Sequence, residues 1–583
     1  MAALLLVVAA MGGAAVHVAG YSPTSAGGQA ALLSVLDLQP LRRSSTIRII
    51  SGAGREGSAT LLNLHPGINS WYLLTVTWND GSPPRAYHLE NPKPHTRRLV
   101  LDPQYPSGLF IDDDAGRVAC DLFGSRVPGS LEQARLARLI YSPVCEGRVY
   151  LRSPAAGHRT GLEAATEFFR DRVWGGEAMI GLGHQLLSDA NREMGTDTTD
   201  AAAAAAVRAN QAGPAPARVD PALADRLVTA PGLGISLVAT NGGSLVPGGW
   251  YATAVPGTFV SVIEPRFIDP QLLRQGRSAQ PLDRVESSSL AYLIAFDLAR
   301  FDLGYARGTV HPALGWSDHM LAKMRDARLP GPDGISDAAP LVSTGLVAPE
   351  DTGRTVATFT AGFKRTHGAF LYGELSLVNG SSHYGFIENG IVFSRLQPGL
   401  STILVLDDGT VEMKTWQQSD AGLLPRIRHA RQNGVPLVEF DPALKAPVPG
   451  RFVPQWGAGN WSGSQDRKLR SMRSGAGIQR LGGKRYLVYA VFSSATPSAM
   501  ARVFQAYGCD HAMLLDMNAL EHTYLALYRP GGAAVTVEYL MTGMQEVDAP
   551  HASKGRLKVR FVGYPDNRDF FYVMRRDGPS GHR

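Results

Sequence analysis

The sequence has few of the features that mark membrane, nucleic-acid-binding or metal-binding proteins. After the first 20 residues, no apolar run is long enough for a transmembrane helix. The net charge is only +6, and the basic residues are scattered rather than grouped with aromatic side chains, so we expect no nucleic-acid partner. Cys-x-x-Cys pairs and other metal-ligand spacings are absent from the sequence. We therefore expect no metal site, and we also expect no cofactor.

Cysteine is scarce as well, with three residues in the whole chain. Cys120 and Cys145 fall in one predicted domain, and an oxidising compartment would let them form a disulfide. Closing that loop is worth about 3 kcal/mol in the chain-entropy account of disulfides. Cys509 stands alone in the apolar context AYGCDHAML and is predicted to be a small buried core residue.

The N-terminus resembles an export signal over residues 1–20. The apolar run LLLVVAAM is followed by the small-residue stretch GGAAVHVAG, which suits a signal sequence better than a membrane span. No Lys or Arg precedes the apolar run, so a misplaced start or a buried helix are the alternatives. The signal predicts a periplasmic or secreted protein.

The chain is too long for one ordinary core, and its patterns predict an α+β, multidomain protein. Short alternating strands with turn signals such as Asn79-Asp80-Gly81 indicate an N-terminal β-sandwich-like module. Three- and four-residue apolar spacing then predicts helices, with Thr160 as one N-cap. The predicted organisation is a β-sandwich-like module (40–150), a helical segment (151–195), a low-complexity linker (196–226), a mixed α/β region (227–335) and a C-terminal α+β domain (350–577).

The mixed region contains two further predicted helices. SSSLAYLIAFDLARFDLGYA has the spacing of an amphipathic helix, and HPALGWSDHMLAKMRDA is predicted to form another. The second holds His311 and His319, which by themselves do not make a metal site.

The C-terminal domain has the clearest pattern. Glu388-Asn389-Gly390 and Asp407-Asp408-Gly409 predict hairpin turns between strand-like segments. TPSAMARVFQAYG predicts a helix that begins near Thr496 and ends before Gly508. A buried strand follows and ends in Asp516, a position from which a side chain can project into a cleft.

The segments of this last domain resemble those of the phosphodiester glycosidase family. The matching order is TFTAGF, YGFIENGIVFS, the hairpin LDDGTVEMKTW, RSGAGI, RYLVYAVF, the helix and GCDHAMLLDMNALEHTY. That family includes the lysosomal enzyme that removes N-acetylglucosamine from mannose-phosphate diesters, and many exported bacterial proteins. The resemblance implies hydrolysis of a glycosidic bond in a glycan or a sugar-phosphate diester.

Two motifs depart from the family pattern. Thr360-Ala361-Gly362-Phe363 stands where the family has Asn-Gly-Gly-Phe. After the late strand, Asp516 is kept, but residues 517–520 read Met-Asn-Ala-Leu where the family has Gly-Gly-Gly-Ser. Glycines permit positive φ and close backbone approach to a ligand phosphate. Their loss predicts a changed substrate or a lost reaction.

The resemblance implies catalytic roles for Asp516, Glu521 and His522 and an anion-holding role for Arg473. Carboxylates flank the bond in glycoside cleavage, and a guanidinium fork suits a phosphate. The structural alternatives are a turn-capping Asp516, surface positions for Glu521 and His522, and a surface ion pair for Arg473. Further substrate-binding candidates are Asn518, His383, Glu374 and the two tryptophans of the loop QWGAGNWSGS, Trp456 and Trp461, which either stack on a sugar or pack the loop.

The leading hypothesis is an exported carbohydrate-active protein that hydrolyses a glycosidic bond, with a glycan or sugar phosphate as its partner. The alternative is a catalytically inactive envelope protein that binds glycan or protein through the same cleft. A structural part of a surface-assembly system is a third reading, and the oligomeric state is left open. The hydrolase hypothesis, in the form stated here, requires Asp516, Arg473 and a second carboxylate to line one cleft.

Overall fold

The computed structural model describes residues 33–576 except 125–128, 162, 165–194, 239–242, 275–278, 379–384, 457–459, 461–469, 532–533 and 553–557. The predicted signal at 1–20 and most of the predicted helical segment at 151–195 lie outside the described residues. The described part is α+β, with several separate sheets, as the sequence predicted.

The N-terminal part is a β-sandwich-like module. Its elements are β1 (Arg43–Ile50), β2 (Glu56–Asn63), β3 (Trp71–Trp78), β4 (Arg85–Glu90), β5 (Arg98–Val100), β6 (Gly108–Asp113), β7 (Gly116–Asp121), α1 (Ser130–Leu136), β8 (Tyr141–Val144) and β9 (Val149–Arg152). They form a sheet of order β1-β2-β3-β4-β9-β8 and a smaller sheet β5-β6-β7. Inward apolar residues of both sheets, such as Ile49, Leu74 and Ile111, share one core. Alternating burial in β1 and β2 is therefore explained by one buried and one exposed face, whereas the first four residues of β3 are all buried.

A disulfide joins the end of β7 to the residue after β8. Cys120 belongs to the shared core of the module, and the Cα atoms of Cys120 and Cys145 are 5.6 Å apart. Cys509, in contrast, is fully buried and unbonded.

The double variant Cys120→Ala/Cys145→Ala should lose about 3 kcal/mol of unfolding free energy, because the loop that the bond closes restricts the unfolded chain. Urea unfolding with and without dithiothreitol measures this. With dithiothreitol, the free energy of unfolding of the wild type should fall to that of the double variant. Identical unfolding of the two proteins without reductant would contradict the prediction.

The remaining elements build the larger part of the molecule. The central elements are β10 (Asp197–Thr199), α2 (Ala201–Arg208), β11 (Arg226–Thr229), β12 (Ser244–Leu245), β13 (Tyr251–Ala252), β14 (Thr258–Ile263), α3 (Pro270–Arg274), α4 (Arg284–Ser287), β15 (Ala291–Asp297), β16 (Phe301–Ala306) and α5 (Pro349–Thr352). The C-terminal elements are β17 (Thr355–Thr360), β18 (Phe386–Glu388), β19 (Ile391–Ser394), β20 (Ser401–Leu406), β21 (Val411–Thr415), β22 (Ile427–Gln432), β23 (Pro436–Asp441), β24 (Ala446–Pro449), α6 (Val453–Gln455), β25 (Ser471–Leu481), β26 (Lys484–Ala495), α7 (Pro497–Ala506), β27 (Cys509–Met517), β28 (Leu525–Gly531), β29 (Ala534–Tyr539) and β30 (Phe570–Arg575). Segments of 3-10 helix lie at Val35–Leu38, Pro221–Leu223, Pro265–Phe267, Ala322–Met324, Arg365–His367, Glu374–Leu377, Gln418–Arg426, Met544–Val547 and Ala549–His551.

Central and C-terminal strands share sheets. The largest sheet has the order β13-β14-β15-β26-β25-β27-β23-β24, and a second has the order β16-β30-β17-β28-β29. A third sheet, β19-β18-β22-β20-β21, and the small sheet β10-β11-β12 complete the set in the described residues. The mixed region predicted at 227–335 therefore contributes strands to the sheets of the domain predicted at 350–577. The predicted boundary between them stays a prediction.

The helix predicted for SSSLAYLIAFDLARFDLGYA is wrong. Strand β15 covers Ala291–Asp297 and β16 covers Phe301–Ala306. Every residue of β15 is buried, and the strand is an interior strand of the largest sheet, paired with β14 and β26. A strand covered on both faces loses the two-residue alternation, so its apolar run cannot be distinguished from a helix by period alone.

The helix predicted for HPALGWSDHMLAKMRDA is also wrong. Only the 3-10 segment Ala322–Met324 forms there. The guanidinium of Arg325 donates to the carbonyl oxygens of Ser317 and Asp318 at 2.6 and 2.8 Å. It therefore satisfies backbone acceptors that a helix would have paired with its own N–H groups.

The local signals in the C-terminal domain are confirmed. The turns at 388–390 and 407–409 join β18 to β19 and β20 to β21. Helix α7 begins after Thr496, whose hydroxyl accepts from the Ala499 N–H at 3.3 Å, and Gly508 follows it with a φ of 65°.

Candidate active site after strand β27

Strand β27 and the turn after it position the candidate catalytic residues. The strand is buried in the largest sheet between β25 and β23, so Asp516 is held on a rigid element. The Ser474 hydroxyl on β25 lies 3.1 Å from both the Asp516 N and O atoms. Asn518 follows the strand with a φ of 83° and donates its N–H to the Met472 carbonyl at 2.8 Å. Asn is the non-glycine residue that best tolerates this conformation, so the turn keeps the positive φ that we had associated with the missing glycines.

The Asp516 carboxylate is buried and bound on both oxygens. Its Oδ2 accepts from Arg568 Nη1 at 2.5 Å, and its Oδ1 accepts from the Met517 N–H at 2.8 Å. Arg568 follows in the chain after the last 3-10 segment and precedes β30. Asp516 is thus a hydrogen-bonded and ion-paired carboxylate.

A second carboxylate shares the same guanidinium. Arg568 Nη2 donates to Glu163 Oε1 at 2.8 Å, and the Asn567 amide donates to the same oxygen at 3.2 Å. Burial alone would raise the pKa of Glu163. The charges of Arg568, His522 and Arg560 outweigh burial and hold that pKa well below its usual range. Glu163 is therefore ionised beside Asp516 at neutral pH.

Glu521 and His522 lie next to this pair. The Glu521 Oε2 accepts from the Thr160 hydroxyl, and its Oε1 is 3.4 Å from His522 Nε2. The His522 Nδ1 is 2.8 Å from the Met517 carbonyl, which can only accept, so Nδ1 carries a proton and Nε2 faces the carboxylate. Burial raises the pKa of Glu521, but His522, Thr160 and Arg560 outweigh it and lower that pKa to about 2.

A clamp made by Arg560 fixes the C-terminal loop that carries Arg568. Arg560 donates through Nε and Nη2 to both oxygens of Asp566 at 2.8 Å each, and through Nη1 to the Glu521 carbonyl at 2.6 Å. The Asp566 Oδ1 also accepts from the Arg568 N–H at 2.9 Å. Bidentate pairing of this kind fixes geometry as well as charge. The loop and the β27 turn are therefore held together through Arg560.

Asp569 forms the adjoining part of this ionic network. Its Oδ2 accepts from Arg431 Nε at 2.6 Å and from the Tyr305 hydroxyl at 3.1 Å, and its Oδ1 bonds His311 Nδ1. Burial raises the pKa of Asp569, but the charges of Arg431 and His311 lower it to about 2. The Arg431 Nη2 also donates to the Phe363 carbonyl at 2.6 Å, which ties the altered Thr-Ala-Gly-Phe segment to the network.

We call the group of Glu163, Asp516, Glu521, His522, Arg560 and Arg568 the Asp516 cluster. Among the predicted site residues it contains Asp516, Glu521 and His522, with Asn518 in the adjoining turn. The described residues contain no group of three or more His, Cys, Asp or Glu side chains arranged to hold a metal ion.

Arg473 does not join the Asp516 cluster. Arg473 on β25 is the cross-strand partner of Met517 on β27. Successive side chains on a strand point to opposite faces, so Arg473 lies on the face opposite to the Asp516 side chain. Its guanidinium donates to the Ala495 carbonyl at 2.8 Å and lies 3.1 Å from the Met517 sulfur. The anion-holding role predicted for Arg473 beside Asp516 therefore has no geometric basis. The hydrolase hypothesis that required Asp516, Arg473 and a second carboxylate to line one cleft fails in that form, and the guanidinium beside Asp516 is that of Arg568.

The other predicted substrate contacts are elsewhere. Trp456 is 1% exposed and packs against Phe370, so its ring faces the core and not a sugar. Glu374 forms a surface ion pair with Arg451 at 2.9 Å. His383 and Trp461 lie outside the described residues.

Several residues of the network were missed in the sequence. Asp566, Asn567, Arg568 and Asp569 form a dense polar run directly before the apolar strand β30, and this run is the sequence feature that could have drawn attention to them. Glu163 gave no such signal, because it lies in an ordinary amphipathic pattern 405 positions from Arg568.

The arrangement permits proton transfer and charge stabilisation. Glu163 and Glu521 have lowered pKa values, so both are ionised at neutral pH and do not donate protons there. His522 supplies the imidazole of the cluster, with Nδ1 on the Met517 carbonyl and Nε2 3.4 Å from Glu521 Oε1. Arg568 offers a fork for an anion, provided that the anion exchanges with one of its two carboxylate partners.

No protein-family model matches the chain, and no curated protein matches it. Three solved structures overlap with it at low identity. The zebrafish N-acetylglucosamine-1-phosphodiester alpha-N-acetylglucosaminidase catalytic domain, auto-inhibited by its pro-peptide, is 10% identical with a TM-score of 0.28, over 66% of this chain and 96% of that one. A hypothetical protein from Synechocystis is 11% identical with a TM-score of 0.24, over 86% and 97%. A protein from Burkholderia pseudomallei described as exported is 12% identical with a TM-score of 0.18, over 64% and 88%. Scores this low do not assign the chain to a family.

No described helix is long and apolar enough to cross a membrane.

Proposed function

We propose that this protein is an exported, carbohydrate-active hydrolase that cleaves a glycosidic bond in a glycan or a sugar phosphodiester at the Asp516 cluster. The observation that carries the proposal is the convergence of Asp516, Glu163 and Glu521 with His522 and Arg568 on one buried site. The disulfide between Cys120 and Cys145 supports export to the periplasm or beyond, because such bonds persist in oxidising compartments.

The proposed reaction is hydrolysis at the anomeric carbon. Water supplies the new hydroxyl of the sugar, and its proton passes to the departing oxygen. The Met517 carbonyl holds the imidazole of His522 through Nδ1, and Nε2 takes the proton from water and gives it to the departing oxygen. The Glu521 carboxylate at 3.4 Å stabilises the imidazolium formed between the two steps. Asp516 stabilises the positive charge that develops on the sugar ring, as a carboxylate does in glycoside hydrolysis generally. Arg568 binds a substrate phosphate by exchanging it for the Glu163 carboxylate.

The test compares wild type with Asp516→Asn on aryl glycosides and sugar phosphodiesters. We expect the substitution to lower kcat at least about 100-fold, the lower range for removing a group that acts on the transition state. Glu374→Gln is the matched control, because Glu374 is a surface carboxylate whose loss should leave turnover unchanged. Circular dichroism would verify that both variants fold. Equal background rates for wild type and Asp516→Asn would rule the hydrolase out.

A second candidate function is a catalytically inactive envelope protein that binds glycan or another protein. The observation that favours it is that the charged groups already bind one another. Both carboxylate oxygens of Asp516 accept hydrogen bonds, and the Nη2 of Arg568 donates to Glu163. This alternative predicts saturable glycan binding without turnover, unchanged by Asp516→Asn. Calorimetric titration with the same sugars distinguishes the two.

A further inference from the structure

A cavity lies where β21, the edge strand of the third sheet, meets the end of the largest sheet. Its volume is about 480 Å³, inside the usual range of ligand pockets. Residues of β21, β23, β25 and β27 form its wall, which includes Lys414, Thr415, Glu439, Phe440, Arg480 and Asp510. Asp510 and Asp516 lie near opposite ends of β27, about 20 Å apart along the strand, so the cavity is separate from the Asp516 cluster.

Phe440 offers an apolar surface to this cavity. It is 47% exposed, although the first three residues of its strand, β23, are buried. No aromatic ring or cation in the described part of the chain packs on its ring. An uncovered aromatic ring in the wall of an open cavity can pack against the flat C–H face of a ligand.

Arg480 provides hydrogen-bond donors that solvent reaches. Its side chain is 57% exposed, and its ion pair with Asp510 joins Nε to Oδ2 at 3.3 Å. The guanidinium donates no hydrogen bond to any residue that the structure describes. Its Nη1 and Nη2 groups are therefore available to a ligand in the cavity.

Acceptors lie beside these donors. The side chain of Asp510 is 29% exposed and accepts no hydrogen bond from the described residues. Glu439 accepts from the Thr415 hydroxyl through Oε1, which leaves Oε2 open. The wall thus presents both donors and acceptors, and a hydroxyl group uses both because it donates as well as accepts.

The charges around the cavity disfavour an anion. The wall has two cations and two carboxylates, Lys414, Arg480, Glu439 and Asp510. Asp420 accepts from Lys414 Nζ at 2.7 Å and adds a third carboxylate beside the wall. His511, which also lines the cavity, is neutral because burial lowers its pKa to about 3. Without a positive excess the local field does not attract an anion, and a cation would leave the Arg480 donors without acceptors.

We propose that this cavity binds a neutral sugar unit of a glycan. One face of the sugar packs on Phe440. Its hydroxyl groups accept from Arg480 and donate to Asp510 and Glu439. The proposal is independent of the reaction proposed at the Asp516 cluster, because the two sites share no residue.

The test is calorimetric titration of the full chain, as wild type and as Asp516→Asn, with cellohexaose, N-acetylchitohexaose and maltohexaose. Hexagalacturonate is the acidic comparator. We expect at least one neutral oligosaccharide to bind Asp516→Asn with saturation and more tightly than hexagalacturonate. No saturable binding of the three neutral oligosaccharides, or acidic binding that is at least as tight, would overturn the proposal.

Variants locate the site. In the Asp516→Asn background, Phe440→Ala should weaken binding of the neutral oligosaccharide about 10-fold, because the sugar loses its aromatic contact. The matched control is Tyr372→Ala, an aromatic residue that is 48% exposed and does not line the cavity. Equal affinities for Phe440→Ala and Tyr372→Ala would place the bound sugar elsewhere and overturn the proposal.

Arg480→Ala tests the polar side of the site. It should weaken binding by a similar factor and leave Tm unchanged, because an exposed ion pair contributes little to stability. Its control is Arg328→Ala, which removes an exposed arginine that is ion-paired with Asp326 and lies outside the cavity. Unchanged affinity in Arg480→Ala would contradict the assigned donor.

Arginine labelling with phenylglyoxal gives a second readout on the wild-type protein. The bound neutral oligosaccharide should protect Arg480 from modification, as measured by mass spectrometry of peptides, and leave Arg328 unprotected. Equal modification of Arg480 with and without saturating oligosaccharide would count against the site independently of any variant.

Discussion

Replacing Arg568 with Met should lower the free energy of unfolding by about 3–5 kcal/mol, because two buried carboxylates would lose their common counter-charge. Arg568 donates to Asp516 and Glu163 at 2.5 and 2.8 Å. Asp516 cannot turn to water, since it lies on the buried strand β27. Its charge would therefore remain in the interior without a partner. Equilibrium unfolding in urea, followed by tryptophan fluorescence and circular dichroism, measures the loss.

The control for Arg568→Met is the same substitution at Arg451. That guanidinium pairs with Glu374 on the surface, where both side chains are about 70% exposed, and such pairs contribute little. Asp516→Asn provides a further check. In that background Arg568→Met should cost clearly less than in the wild type, because one of the unpaired charges is already gone. An Arg568→Met variant as stable as Arg451→Met would contradict the ion-pair account.

Replacing Asp569 with Asn should cost a similar amount, about 3–5 kcal/mol. Asp569 is fully buried and accepts from Arg431, Tyr305 and His311. An amide keeps the shape but offers one accepting oxygen where these three donors need two, and it leaves Arg431 buried without a counter-charge. The control is Asp326→Asn, which removes a charge from an exposed ion pair with Arg328 and should change stability little. Urea unfolding at pH 7 compares the two.

The same substitution should change the acid sensitivity of the protein. The pKa of Asp569 is about 2 in the folded state, against an ordinary value of about 3.9. A lowered folded-state pKa contributes stability that is complete above about pH 4 and is lost as the pH falls toward 2. Between about pH 5 and pH 2 the wild type should therefore lose about 2–3 kcal/mol more than Asp569→Asn. Glu521 titrates in the same range in both proteins, so the difference isolates Asp569. If the free energy of unfolding of the wild type and of Asp569→Asn fell in parallel between pH 5 and pH 2, the lowered pKa of Asp569 would be contradicted.

Part of the candidate site was accessible from the sequence. Asp516 was placed at a strand end by the apolar run before it, and Glu521 and His522 followed in the same turn. The turn has a positive φ at Asn518 although the glycines of the family motif are missing. The substitutions at 517–520 therefore did not remove the left-handed backbone conformation from this turn. Arg473 was misplaced because strand alternation turns it away from Asp516, and the register that decides this is set by pairing between β25 and β27.

The sequence by itself determined part of the local structure of this protein. The hairpin turns at 388–390 and 407–409 and the limits of α7 depend on residues within a few positions of one another, so short-range signals were sufficient. The tertiary structure decided the rest. Strand β15 is a strand because it pairs with β14 and β26 inside the largest sheet, and not because of its own pattern. Arg568 meets Asp516 and Glu163 across 52 and 405 positions, and only the packed chain brings such distant charges into one buried site, where each requires the other.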